Sequence, residues 1–166
     1  NFSKNYCTSP GCNPSRATMM TGLHTFNSGM YSNYQDWRKV PKLSEATTLP
    51  ELFKENGYFT AGAGKIYHYS QVHPDSWNEY YPSQKQNMPK NYIPENAPVN
   101  MEPFKYMYSA FDWFGIPIED EETGDYKSVE YISSLLKKDH NKPFFLACGI
   151  YRPHLPWYVP QKYFDL

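Results

Sequence analysis

The sequence predicts an α/β fold with a mostly parallel sheet, and three observations support this prediction. Residues 48–64 have a helical pattern followed directly by a β-prone run, and residues 125–150 repeat that order. Helix-then-strand units of this kind are typical of parallel sheets whose connecting helices pack on the faces. The third observation is length, because 166 residues can bury one core.

The first predicted helix runs from about Pro14 to Thr21, within the segment 7–22. Proline suits a first helical turn, where its missing N–H costs nothing, and a glycine follows at position 22. Cys12 is then expected at the helix N-terminus, where free N–H groups and the helix dipole favour an anion. Arg16 adds a planar set of donors that fits sulfate or phosphate. The pattern favours a site for a tetrahedral oxyanion.

The second predicted helix begins at Thr48, which forms a capping-box pattern with Glu51, and ends at Gly57. Its apolar face is expected to consist of Leu49, Leu52 and Phe53. The strand that follows should deliver Lys65 and His68 at its carboxyl end, where ligand groups collect in open α/β sheets. A lysine and a histidine three residues apart in a loop are otherwise more often solvated surface.

The third predicted helix covers about 125–139 and leads into an apolar strand at 144–150. Its apolar residues at helical spacing are Val129, Ile132, Leu135 and Leu136. The nearly continuous apolar run is typical of a parallel strand covered on both faces. In the loop 151–157, two prolines flank His154, whose imidazole suits protonation of a departing alcohol. A packing histidine in a proline-rich loop is the alternative.

The segment 69–124 is rich in proline and tyrosine and has no pattern of helices or strands. Long stretches without secondary structure inside a compact domain are usually functional. Its aromatic side chains are candidates for stacking on sugar rings, although a proline-rich surface loop is the more frequent explanation.

Charge and cysteine content exclude several classes of protein. Sixteen basic and 17 acidic residues argue against a general binder of nucleic acid or membrane surfaces. No apolar run approaches the roughly 18 residues of a membrane-spanning helix, and residues 1–6 lack the apolar stretch of a signal peptide. Three cysteines give no disulfide framework, although a Cys7–Cys12 pair stays open.

The run 12–22 reads Cys-Asn-Pro-Ser-Arg-Ala-Thr-Met-Met-Thr-Gly, and it resembles the signature of type I sulfatases. The resemblance implies an alkaline-phosphatase-like α/β/α sandwich and oxidation of Cys12 to formylglycine by a formylglycine-generating or maturase enzyme. One hydroxyl of the hydrated aldehyde would attack sulfur, and loss of a proton from the other would expel sulfate. Cysteine-dependent phosphatases are a weaker match, because they hold more residues between cysteine and arginine than the three found here.

Two further stretches resemble iduronate-2-sulfatase-like enzymes. In the form Gly-Lys-x-x-His, Lys65 would bind a sulfate oxygen and His68 would contact the diol. The segment around His154 is similar to Lys-Pro-His-x-Pro, in which the histidine reaches the bridging oxygen, and Arg152 replaces the lysine as a candidate substrate contact. The resemblance therefore implies five catalytic residues that converge on one cleft: Cys12, Arg16, Lys65, His68 and His154.

Type I sulfatases also hold a divalent cation, usually Ca²⁺, with Mg²⁺ as the alternative. Ca²⁺ takes about 6 to 8 oxygen ligands, including an aspartate pair in this family. The chain contains no Asp-Asp pair, so only residue 12 is expected to touch the cation. We therefore expect an internal portion of a sulfatase domain that needs the remainder of the domain as its partner and does not catalyse alone.

The function that this resemblance implies is hydrolysis of a sulfate ester on a sugar or polysaccharide. Two alternatives stay open: a formylglycine-dependent phosphonate or phosphate ester hydrolase, and a non-catalytic carbohydrate-binding relative with unmodified Cys12. The implied compartment is periplasmic, extracellular or lysosomal.

Overall fold

The computed structural model describes residues 3–68, 72–86, 89 and 112–166. The described helices are α1 (Cys12–Thr21), α2 (Thr25–Ser28), α3 (Pro41–Ser44), α4 (Leu49–Glu55) and α5 (Gly124–Leu136). The described strands are β1 (Phe59–Gly64), β2 (Glu79–Tyr81), β3 (Trp113–Ile116), β4 (Phe144–Gly149) and β5 (Trp157–Pro160). No helix in these ranges is long and apolar enough to cross a membrane.

The main sheet has three parallel strands in the order β2-β1-β4, and β3 pairs with β5 in a separate parallel ladder. Side chains alternate along β1, so that Ala61 and Ala63 pack with Ile132 and Leu135 of α5. The opposite face of the sheet packs against a second cluster that includes Met20 of α1. Helices therefore cover both faces, and the predicted α/β/α sandwich with a parallel sheet is confirmed.

The close approach of β1 and β4 depends on two glycines at their carboxyl ends. Gly64 has φ +73°, and a Cβ built on it would lie 2.1 Å from the carbonyl oxygen of Gly149. A Cβ on Gly149 would lie 2.2 Å from the carbonyl carbon of Lys65. The missing side chains let the backbone N–H of Lys65 donate to Gly149 O at 2.8 Å. This contact places the turn after β1 directly against the end of β4.

The capping box of α4 is present as predicted, and Phe53 of the predicted apolar face packs on Phe145, but the prediction is wrong for the two leucines of that face. The Thr48 hydroxyl accepts from Glu51 N, and the Glu51 carboxylate accepts from Thr48 N. Leu49 and Leu52 are 40% and 52% exposed, and the buried residue of α4 is Pro50. The spacing of apolar residues predicts a helix correctly, whereas the neighbouring elements decide which side of it is buried.

The prediction that the strand from Phe144 is covered on both faces holds for its middle and fails at its ends, because Leu146 packs on one face and Phe145 on the other. β4 pairs with β1 in parallel, but Phe144 is 40% exposed and Cys148 is also exposed. In α5, Ile132 and Leu135 are buried as expected, while Val129 and Leu136 are exposed. β1 occupies the centre of this sheet and β4 lies at its edge.

The prediction of a stretch without secondary structure at 69–124 is wrong where the structure describes it. Pro74–Ser76 forms a short 3-10 helix, β2 joins the main sheet and β3 pairs with β5. Both strands are short, which explains why no periodic pattern indicated them. The rest of that segment, 69–71, 87–88 and 90–111, lies outside the described residues.

Candidate active site

Cys12 is the first residue of α1, two residues before the predicted start of the helix. Gly11 is the N-cap residue, and its carbonyl oxygen accepts from Ser15 N at 3.1 Å. Cys12, Ser15 and Arg16 line a cavity of about 380 Å³. The described cysteines, including Cys7 and Cys12, are free thiols, so the structure contains no Cys7–Cys12 disulfide. The side chain at position 12 thus stands beside the helix N-terminus and a cavity.

Asn13 anchors this end of α1, and the sequence patterns did not indicate it. Its backbone N–H donates to Asn33 Oδ1 at 2.9 Å. Its side-chain amide donates to Asn33 O at 3.1 Å and to Gln35 O at 2.7 Å. Asn13 is only 2% exposed, so these hydrogen bonds satisfy a buried amide and fix the residue next to Cys12.

Arg16 joins α1 to the turn that follows β1. Its Nη1 donates to Lys65 O and, at 2.9 Å, to Ile66 O. Burial lowers the pKa of Arg16, while its proximity to Cys12 acts in the opposite direction. The guanidinium therefore orients the Lys65 backbone, in addition to the oxyanion contact that the sequence predicts for it.

Lys65 and His68 both point into the protein rather than into solvent, at 1% and 7% exposure. Burial lowers the pKa of Lys65, the neighbouring Cys12 raises it and the positive Arg16 lowers it. Burial also lowers the pKa of His68 to about 4, and the charges of Lys65 and Arg16 and the nearby His154 add to this effect. His68 is therefore neutral at neutral pH and is able to accept a proton.

His154 is held in the loop after β4 by contacts within that loop. Its Nδ1–H donates to Leu155 O at 2.6 Å, which leaves Nε2 as the nitrogen available for proton exchange. Its backbone N–H donates to Tyr151 O at 3.0 Å. Burial lowers the pKa of His154, the Leu155 hydrogen bond raises it, and the charges of Lys65 and Arg152 lower it further.

Two residues that the motifs did not indicate hold this loop. Both oxygens of the Asp125 carboxylate accept backbone N–H groups, from Tyr151 at 2.7 Å and Arg152 at 2.9 Å. The Tyr151 ring stacks on the imidazole of His154 with 4.8 Å between centroids. An acidic residue in a first helical turn indicates only a helix start, so no sequence pattern indicates the long-range contact of Asp125.

The structure thus brings the predicted residues together around one positively charged region. Electrostatic interactions link Cys12 to Arg16 and Lys65, and link His68 to His154. Within the described ranges, no group of three or more His, Cys, Asp or Glu side chains is placed to hold a metal ion. Clustered cations beside a helix N-terminus suit a tetrahedral anion.

A comparison with known families decides the assignment, since the family model of sulfatases matches residues 1–165. The chain belongs to the sulfatase family. A sulfatase of Formosa agariphila is 33% identical over 99% of this chain and 34% of its own length. The iduronate 2-sulfatase of Mus musculus is 29% identical over 92% of this chain and 28% of its own length. The sulfatase chain described here thus spans about a third of the length of these relatives.

The fold of this sulfatase chain is also found among solved structures. One of them, a complex with its substrate D-glucosamine-2-N,6-O-disulfate, superposes with a TM-score of 0.55 at 22% sequence identity. The match covers 92% of this chain and 27% of the other. At this level of identity the likeness supports the shared fold of the two chains.

Proposed function

We propose that the protein containing this chain hydrolyses a sulfate ester on a sugar or polysaccharide, with residue 12 as formylglycine. The observation that carries the proposal is the proximity of Arg16 and Lys65 to Cys12, with His68 and His154 next to these two cations. Membership of the sulfatase family and a relative that is named for a sulfated sugar acid support it.

In this proposal the hydrated aldehyde at residue 12 supplies the nucleophile. One hydroxyl oxygen bonds to sulfur and releases its proton to solvent water while the bond from sulfur to the bridging oxygen breaks. His154, as the imidazolium with a proton on each nitrogen, gives its Nε2 proton to the departing alcohol. Lys65 stabilises the charge that grows on the sulfate oxygens. Neutral His68 then accepts the proton of the second hydroxyl, so that sulfate leaves and the aldehyde is restored.

The divalent cation of the family would supply charge stabilisation at the sulfate when bound. Residue 12 is the one ligand that we assign to it, and the described residues offer no carboxylate cluster to complete it. We propose Ca²⁺, with Mg²⁺ as the alternative, and expect the other ligands from the remainder of the domain. Metal analysis of the full-length protein tests this assignment.

The other partners follow from the same proposal. A formylglycine-generating or maturase enzyme would modify Cys12, and the protein would act in the periplasm, outside the cell or in a lysosome. Fractionation of the native host and detection of the modified peptide test both points.

A formylglycine-dependent phosphate or phosphonate ester hydrolase is the second candidate. The observation that favours it is the cationic pair Arg16 and Lys65, which binds either tetrahedral anion. A non-catalytic carbohydrate-binding protein would require that Cys12 stay a thiol.

One experiment separates the three candidates. Mass spectrometry of the peptide containing Cys12, purified from the native host, detects replacement of the CH₂SH side chain by CHO. The full-length protein and its Cys12→Ala variant are then assayed with a sulfate and a phosphate ester of the same sugar. We expect the modified peptide and turnover of the sulfate ester by the wild type alone. An unmodified thiol with no turnover would support the binding protein, and preferential turnover of the phosphate would support the second candidate.

A further inference from the structure

The ring of Tyr151 is surrounded by three cationic or ionisable side chains of the candidate active site. Lys65 Nζ lies 4.8 Å from the ring centroid, and Arg152 Cζ lies at the same distance. The imidazole of His154 stacks on the ring with 4.8 Å between centroids and 22° between planes. One aromatic side chain therefore contacts both Lys65, which follows β1, and His154, which lies in the loop after β4.

An aromatic ring suits this position because it attracts cations without carrying a negative charge. A carboxylate beside Lys65 would neutralise the ammonium group and repel an anionic substrate. The Tyr151 hydroxyl donates to Leu155 O at 3.1 Å, the same carbonyl oxygen that accepts from His154 Nδ1. The ring and the imidazole are thus fixed to one backbone atom, and His154 Nε2 is directed away from it.

The carboxylate in this region, that of Asp125, hydrogen-bonds to the backbone instead of to Lys65. Asp125 lies in the first turn of α5 and accepts from the N–H groups of Tyr151 and Arg152 with its two oxygens. Hydrogen bonds to a carboxylate are stronger than those between neutral groups. Because α5 packs on β1 and β4, this contact ties the loop to the helix that covers both strands.

We propose that Tyr151, anchored by Asp125, is a positioning residue that orients Lys65 and His154 toward the sulfate ester. The proposal rests on the proposed function, because it assigns Tyr151 a part in the same reaction. Tyr151 acts through these two side chains and carries no proton or bond of the reaction itself.

Kinetics of the full-length protein with residue 12 converted test the role of the ring. Tyr151→Leu should lower kcat on a sugar sulfate roughly tenfold with a smaller change in KM, because the contacts to the ring are lost. Tyr151→Phe keeps the ring and loses only the hydrogen bond to Leu155 O, so its effect should be smaller and stay within about twofold of the wild type. Tyr34, whose side chain is 98% exposed, supplies the control variant Tyr34→Leu with unchanged kinetics. An unchanged kcat in Tyr151→Leu, or an equal loss in Tyr151→Phe, would overturn the proposal.

The anchor is tested with an isosteric variant. Asp125→Asn replaces one acceptor oxygen by an NH₂ group that cannot accept a hydrogen bond, so kcat should fall several-fold with the larger loss on esters of poorly acidic alcohols. Asp139→Asn, at an exposed carboxylate near the other end of the helix, is the matched control. Equal losses on aryl and sugar sulfates would contradict a positioning effect on His154.

A spectroscopic measurement keeps the two proposals distinguishable. A wild type that turns over no sulfate ester refutes the proposed function. NMR of the His154 ring protons in the full-length protein then tests the positioning role of Tyr151 independently of activity. Stacking on Tyr151 should shift these resonances upfield in the wild type and in Tyr151→Phe, and the shift should disappear in Tyr151→Leu. Identical resonances in all three proteins would overturn the positioning role whatever the activity.

Discussion

The carboxyl ends of β1 and β4 are neighbours in one sheet, yet they hold their functional side chains in different ways. After β1, Lys65 is 1% exposed, and its backbone is tied by Arg16 and by Gly149. After β4, Ile150 is 46% exposed, and His154 is held by contacts inside its own loop and by Asp125 through the backbone. The lysine is fixed by burial in the central part of the sheet, whereas the histidine depends on a few hydrogen bonds and one ring.

This difference predicts how tolerant each side is of substitution. Changes at the end of β1 disturb packed backbone and should affect both folding and chemistry. Changes after β4 should affect the orientation of His154 and leave the fold largely intact.

The largest effect is expected from Gly64→Ala. The added Cβ would lie 2.1 Å from Gly149 O at a residue with φ +73°, so the ends of β1 and β4 have to separate. We expect a loss of at least about 4 kcal/mol in the free energy of unfolding. Gly57→Ala is the matched control, because Gly57 has φ +84° with nothing within 4 Å of the added Cβ, and it should cost only about 1–2 kcal/mol. Denaturant titration of the full-length variants measures both, and equal losses would show that the close approach of the strands is unimportant.

The next effect is on catalysis at the same strand end. Lys65→Ala in the full-length protein should lower kcat by about 10²–10³-fold with a smaller change in KM, if its charge meets the transition state. Lys137→Ala, at an exposed lysine that follows α5, should leave both constants unchanged. A rise in KM with an unchanged kcat would assign Lys65 to ground-state binding of the sulfate instead.

The third effect concerns the loop after β4. His154→Ala should reduce turnover of sugar sulfates by about 10²-fold and affect activated aryl sulfates much less, because only the former need a proton on the leaving oxygen. Steady-state rates for a series of esters with leaving groups of rising pKa give the comparison. Equal losses across the series would exclude His154 as the general acid.

The same contrast explains which features were predictable from the sequence. Local signals were sufficient for the helix after Thr48, whose capping box is formed by two residues three positions apart. They were insufficient for its buried side, since Leu49 and Leu52 are exposed. Short strands such as β2 carry no period to detect.

For the candidate site, the motifs indicated residues that stand at strand or helix ends. They did not indicate the residues that hold those ends in place. Asp125 meets Tyr151 across 26 positions, and Asn13 meets Asn33 across 20. These pairings depend on the tertiary fold, and each partner alone looks like an ordinary helix or loop residue.

The last effect is a pH dependence of stability caused by His68. Its pKa in the folded protein is about 4, below the ordinary value of 6.5, because burial and nearby positive charges disfavour the protonated form. The folded state therefore binds fewer protons than the unfolded state between these values, and stability that is present above pH 6.5 is lost as the pH falls toward 4. The full contribution is on the order of 3 kcal/mol. The difference in unfolding free energy between the wild type and His68→Gln, measured by denaturant titration from pH 7 to 4, isolates it from other groups. We expect the wild type to lose stability relative to His68→Gln as the pH falls. A difference that does not vary with pH would mean that His68 is protonated as readily in the folded protein as in the unfolded chain.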